Sequence, residues 1–193
     1  MNNFKQIKTL LSFKDSGDFY FIQIFKRRKD NPELPKSEKL IKSYSVFSLE
    51  EYDKLEEHII ETCTQNNARA YIRLNKRNSA VIALKMIQDI AAKAVCNQTQ
   101  SLFKVYDSIV GQNHSDPNKT WIVDIDNTDV NEAVKIRMYV RSITDIQGVR
   151  AMLKTLNGYH LITKPFNRKL FSEKYPDIDI HTDNPTLLYY NNE

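Results

Sequence analysis

The sequence predicts an α/β (α+β) chain, a mixed sheet with helices packed on it, from three observations. Residues 17–29, GDFYFIQIFKRRK, are dense in aromatic and β-branched side chains, the composition of a strand. Two stretches with apolar residues at helical spacing, 49–63 and 79–96, enclose an alternating run at 68–77. In the second half, two apolar runs flank the tripeptide LNG at 156–158, the pattern of a hairpin with Gly158 at a positive φ.

Taken in order, residues 30–42 hold prolines and lysines and read as a loop, and SYSVF at 43–47 as a short strand. Ser48 followed by Glu51 is a capping-box signature, and Leu49, Tyr52, Leu55, Ile59 and Cys63 form one face of the helix it starts. In the strand 68–77, Ala70, Ile72 and Leu74 alternate with Tyr71, Arg73 and Asn75, so the second set shares a face. The helix 79–96 turns Val81, Leu84, Ile87 and Ile90 or Ala91 toward a core. The polar segment 97–119, ending in GQNHSDPNK, divides the chain into lobes of about 1–110 and about 120–193. Beyond it come the strand TWIVDID, a helix capped by Asn127 or Thr128 and running to about Tyr139, and the hairpin. A short helix at 167–175 and the strands DIDIH and TLLYY close the chain.

Composition narrows the class. The chain has 193 residues, 41% of them hydrophobic and 27% charged, which suits a folded chain with a real core rather than a disordered one. No apolar run reaches the ~20 residues of a membrane span, and the first residues lack a secretory signal. Two cysteines, Cys63 and Cys96, make neither a disulfide framework nor a zinc pattern, so a reducing cytoplasm is the expected setting. Net charge is +4, with a basic run from Lys26 to Lys29 that suits a nucleic-acid backbone or a solvated strand end.

The chemistry-bearing stretch is WIVDID. Residues i and i+2 of a strand share a face, so Asp124 and Asp126 project together while Val123 and Ile125 enter the core. Adjacent carboxylates repel unless a cation lies between them, and Mg²⁺ or Mn²⁺ is the hard ion that oxygen ligands attract. His160 follows the hairpin turn, with Lys164 four residues further on the same strand, and Arg73 is a natural bidentate phosphate partner. Near the C-terminus, Asp177 and Asp179 have the spacing of a second same-face pair, and Asp183-Asn184-Pro185 reads as a turn. There is no G-x-S-x-G nucleophile elbow, and neither His160 nor His181 begins an H-x-S/T motif.

Together, WIVDID, TLNGYHLI and AYIRLNKR resemble the catalytic core of the archaeo-eukaryotic primase superfamily, the primases and primase-polymerases, over about residues 68–190. The resemblance implies a two-lobed core with an RRM-like, metal-binding C-terminal half. It further implies a nucleotidyltransferase that acts on a nucleic-acid template with nucleoside triphosphates, using Mg²⁺ or Mn²⁺. Asp124 and Asp126 would be metal ligands, joined by a third acid, Asp183 or else Asp179. His160, Arg73, Lys164 and Lys76 would lie against the nucleotide. A replication helicase or accessory protein is the kind of partner implied. No zinc-binding module accompanies the core, a departure from full primase activity. The alternatives are a nucleic-acid-binding or replication-accessory protein of this fold that has lost one acid, and a metal-dependent nuclease that uses the same acids with water as nucleophile.

Overall fold

A computed structural model of the chain describes residues 1–112, 118–145 and 147–191; the middle of the turn-rich segment 111–119 lies outside them. The fold is mixed α/β, with two four-stranded antiparallel sheets and six helices among the described residues. The expected mixed sheet is thus two sheets, each antiparallel throughout. No helix among the described residues is long and apolar enough to cross a membrane.

Helix α1 (Phe4–Lys8) precedes β1 (Asp18–Arg27), which lies between β2 (Glu38–Val46) and β3 (Arg69–Asn78). β1 is buried over its first seven residues because both of its faces are covered. Tyr20, Ile22 and Ile24 join a core that includes Phe4, Ile7, Tyr52 and Ile59. Phe19 and Phe21 turn the other way, onto Ile82, Val105, Ile109 and Val110. β2 begins at Glu38, inside the expected loop, where it pairs with Arg27.

Helix α2 (Leu49–Asn66) starts as expected: the Glu51 amide donates to the Ser48 hydroxyl at 3.1 Å. Tyr52, Ile59 and Cys63 are buried, whereas Leu49 stays exposed. Burial pushes the Cys63 thiol up to about 12, which leaves it a small apolar side chain.

Helix α3 (Ser79–Val95) departs from its expected orientation. Ile82 is its one buried side chain, and Val81, Leu84, Ile87 and Ile90 all face solvent. Apolar residues all round this helix give periodicity no unique inner face, and packing chose the Ile82 side. The expected boundary segment is also partly structured. A 3₁₀ turn (Thr99–Lys104) leads into α4 (Val105–Gln112), whose Val105, Ile109 and Val110 pack under β1.

The second sheet has the order β5-β6-β4-β7, from β4 (Trp121–Asp126), β5 (Val149–Lys154), β6 (Gly158–Thr163) and β7 (Asp179–His181). Helix α5 (Val130–Ser142) connects β4 to β5, and α6 (Arg168–Lys174) connects β6 to β7, a split β-α-β arrangement. Val123, Ile125, Ile136, Val140, Leu161 and Phe171 form the core beneath it. Asp129, rather than Asn127 or Thr128, caps α5, accepting from the Asn131 and Glu132 amides at 2.7 and 3.0 Å. Asn127 instead takes a left-handed conformation, φ 53°, that ends β4.

Gly158 does not occupy a positive φ; among the described glycines only Gly17 does. A Cβ on Gly158 would lie 1.9 Å from the Ile125 carbonyl oxygen, so close approach of β6 to β4 is what requires glycine there.

The last strand, β8 (Thr186–Tyr190), leaves the second half and pairs with β3 as an edge of the first sheet. Ile122, Leu153 and Ile162 of the second sheet join the core of the first, so the two sheets share one apolar interior. Asn75 fixes this junction: its amide donates to the Thr120 and Thr182 carbonyls at 3.1 and 2.9 Å, and its oxygen accepts from the Thr120 amide at 2.6 Å.

Candidate functional site

The two sheets enclose a cleft of about 300 Å³ whose walls come from both. The second sheet supplies Asp124 and Asp126 from β4, His160 from β6 and His181 from β7. The first sheet supplies Arg69 and Tyr71 from β3, Arg27 from β1 and, just past it, Lys29. The turn between β5 and β6 closes one end with Thr155, Leu156 and Asn157.

Antiparallel pairing explains the acidic floor. Asp124 lies opposite His160 on one side and Asp179 on the other, while Ile122 lies opposite His181. Directly paired residues share a face, so these side chains collect on one surface. His160 Nε2 is 3.1 Å from one Asp124 oxygen, and His181 Nε2 is 3.7 Å from the other. The His160 hydrogen bond, reinforced by both imidazoles, holds the Asp124 carboxyl below the usual carboxylate range against the opposing effect of burial. The other ring nitrogen, His160 Nδ1, is 2.8 Å from the Thr186 hydroxyl, which β8 delivers from the first sheet. Asp126 is exposed at the cleft mouth.

The opposite wall is basic. Arg27 donates to the Tyr71 hydroxyl at 3.3 Å, and Lys29 makes no ion pair among the described residues. Arg69 is already committed, to Asp30 at 2.7 and 2.5 Å and to the face of the Tyr190 ring at 4.6 Å. Two buried polar atoms at the cleft have no hydrogen-bond partner among the described residues, Arg27 Nε and the Thr155 hydroxyl. Buried donors and acceptors are seldom left unmade, and a ligand entering the cleft would satisfy both.

Of the residues singled out from sequence, Asp124, Asp126 and His160 meet in the cleft. Arg27 and Lys29 of the basic run line the opposite wall, Asp179 lies in register beside Asp124, and the remaining ones go elsewhere. Asp183 accepts from Arg77 Nη2 at 2.8 Å and from the Asn75 amide at 3.0 Å. Arg73 donates to the Asp183 carbonyl at 2.5 Å and lies 3.7 Å from its carboxylate. Lys76 is buried against Asp18 at 2.5 Å. Lys164 falls just past the end of β6 and pairs with Asp145 at 3.0 Å. Asp177 precedes β7 in a turn, so it forms no strand pair with Asp179.

Alternation in β3 holds as far as Arg73 and then fails, because four steps along β3 (Arg73 to Arg77) match two along β1 (Phe21 to Phe19). That bulge buries Leu74, Asn75, Lys76 and Arg77 in succession. Sequence reasoning did not assign His181, Thr155, Thr186 or Tyr71 to the site. The signal available was parity in DIDIH, which places His181 on the Asp179 face; pairing with β4 is long-range and leaves no local mark.

Among the described residues no group of three or more His, Cys, Asp or Glu is arranged to hold a metal ion. The donor set at the floor is two carboxylates from alternate positions of one strand. Such a pair fits a Mg²⁺ that keeps several waters and arrives bound to phosphates, rather than one held in an all-protein cage.

Compared with protein-family models, with curated proteins and with solved structures, the chain matches none.

Proposed function

We propose that the chain is a metal-dependent nucleotidyltransferase of primase-polymerase type, acting on a nucleic-acid template with nucleoside triphosphates. The observation that carries this reading is the convergence of Asp124, Asp126 and His160 in one cleft, faced by Arg27 and Lys29. The β-α-β-β-α-β connectivity of the second sheet, with its β5-β6-β4-β7 order, supports an RRM-like half of a two-lobed core.

Asp124 and Asp126 would hold Mg²⁺ or Mn²⁺, which supplies charge neutralisation at phosphate oxygens. The third carboxylate in this reading is Asp179, exposed and in register with Asp124, because Asp183 is engaged by Arg77. His160, oriented by Thr186 and Asp124, and His181 present imidazoles to the triphosphate. Arg27 and Lys29 bind phosphates by charge, and the Tyr71 ring offers a stacking face to a base.

A second reading, a nucleic-acid-binding protein without catalysis, is favoured by one observation: Asp183 is held in ion pairs away from the other two acids. Primer extension with Mg²⁺ or Mn²⁺ separates the two. Metal-dependent incorporation by the native chain, lost in Asp124→Ala/Asp126→Ala, establishes the transferase. No incorporation by either protein, with equal binding of single strands, establishes the binding role.

A further inference from the structure

Helix α4 covers only one end of its face of the first sheet. Phe21 and Gln23 of β1 lie opposite Ser45 and Ser43 of β2, whose hydroxyls hydrogen-bond to Tyr106 and Asp107 of α4. Two residues further along β1 the same face continues with Phe25, which pairs with Leu40 on one side and Arg69 on the other. Leu40 is 37% exposed. Phe25 and Tyr71 are half-buried, with ring centroids 6.4 Å apart. Tyr71 also lines the cleft, so this aromatic surface runs on from the candidate site.

Positive charge is concentrated at the same end. Residues 26–39, from the end of β1 round its turn to the start of β2, hold six lysines and arginines against three acids, a surplus of three in a chain of net charge +4. Two of the acids are taken, Asp30 by Arg69 and Glu33 by Lys26. The third, Glu38, lies opposite Arg27. Arg28, Lys29, Lys36 and Lys39 are exposed and make no ion pair among the described residues. Arg27, Arg28, Lys29 and Ser37 line a shallow groove of about 460 Å³. Arg27 and Lys29 line the cleft as well, so the groove continues it.

A charge run alone is a solvated strand end. Here it borders two ring faces, and that combination selects the occupant. An acidic peptide brings charge for the groove and nothing planar for Phe25 and Tyr71. A duplex keeps its bases stacked inside. A single strand brings regularly spaced phosphates and open base faces together. We propose that a single-stranded nucleic acid leaves the cleft across this end of the first sheet. Its bases lie against Tyr71 and Phe25, and its backbone turns round the β1–β2 hairpin on Lys29 and Arg28 toward Lys36. This rests on the reading of the cleft as a nucleic-acid site, and it serves the transferase and the binding protein alike.

Fluorescence anisotropy tests it, with labelled oligothymidylates of about 4 and about 16 nucleotides, the ends of the usual range of single-strand site sizes. The longer strand should bind more tightly to the native chain. Arg28→Glu/Lys36→Glu should lose about tenfold on the longer strand only, with a salt slope smaller by about 1–2. Phe25→Leu, which keeps an apolar side chain in the sheet, should lose roughly fivefold on the longer strand. Equal affinity for both lengths overturns the proposal. So does a charge variant, folded by circular dichroism, that binds the longer strand like the native chain. Polyglutamate that competes as well as the strand overturns the nucleic-acid assignment of the groove. A native chain that binds neither strand refutes the nucleic-acid reading of the cleft itself, whereas strand binding indifferent to Arg28, Lys36 and Phe25 refutes this path alone.

Discussion

Replacing Asp183 by Ala removes the carboxylate that faces a guanidinium with no solvent exposure. Arg77 is 0% exposed, and its remaining partners are the carbonyls of Val110, Asn75 and Gly111. Burial alone drives the Arg77 pKa below its ordinary value, and Asp183 is the charge that offsets it. Breaking a buried ion pair by deleting one partner costs 3–5 kcal/mol; Asp183 keeps 18% exposure, so the loss falls near ~3 kcal/mol. For a chain of this length that lowers the melting temperature by roughly 6–12 °C. Asp183→Asn keeps an acceptor and should lose less. Arg77→Met/Asp183→Leu, which removes both charges, should recover most of the loss. Thermal unfolding followed by circular dichroism in metal-free buffer measures all three. A melting temperature for Asp183→Ala within about 2 °C of the native value would refute the argument, since it corresponds to under ~1 kcal/mol, and would return Asp183 to the list of candidate metal ligands.

Gly158→Ala should destabilise by about 1–3 kcal/mol through overpacking against the Ile125 carbonyl, read as a lowered denaturant midpoint; an unchanged midpoint would show that β4 and β6 can separate freely. Arg27→Ala/Lys29→Ala should weaken single-strand binding and reduce the slope of log affinity against log salt by about 1–2; an unchanged slope would place the nucleic-acid track elsewhere. Asp124 has a lowered folded-state pKa, so its contribution to stability is fully present above the ordinary carboxylate pKa of about 4 and is lost as pH falls through the lower folded value. Denaturation midpoints between neutral and strongly acidic pH should therefore fall less steeply for Asp124→Asn than for the native chain.

Local signals carried well where one or two residues decide the outcome. The Ser48 cap, the strand WIVDID and the hairpin after Lys154 all formed as their sequences indicate. The shared face of Asp124 and Asp126 followed from strand parity alone. What was not legible depended on long-range choice. Which side of α3 packs inward is set by α4 and β1, and a helix with apolar residues on every side carries no periodicity that encodes it. The bulge that carries Lys76 and Arg77 into the interior is equally invisible, because its cause is the register against β1. The pairing of Arg77 with Asp183 joins residues 106 apart, and it makes half-buried Asp183 the counter-ion of a buried guanidinium. His181 entered the site for a related reason, since a three-residue strand is placed by its neighbour β4 rather than by its own sequence.

The return of β8 to β3 also sets an order of events in folding. Arg69 pairs with Tyr190, so the first sheet cannot close its second edge until residues 186–190 have been made. Until then β3 presents an unpaired edge, and Arg69 and Ile72 have partners on β1 but none on β8. The second sheet, whose strands all lie between residues 121 and 181, can form earlier and from closer contacts. The cleft is finished last, because the Thr186 hydroxyl reaches His160 only once β8 docks. Nascent and truncated chains ending before residue 186 would thus carry both carboxylates and His160 without the hydroxyl that orients the imidazole.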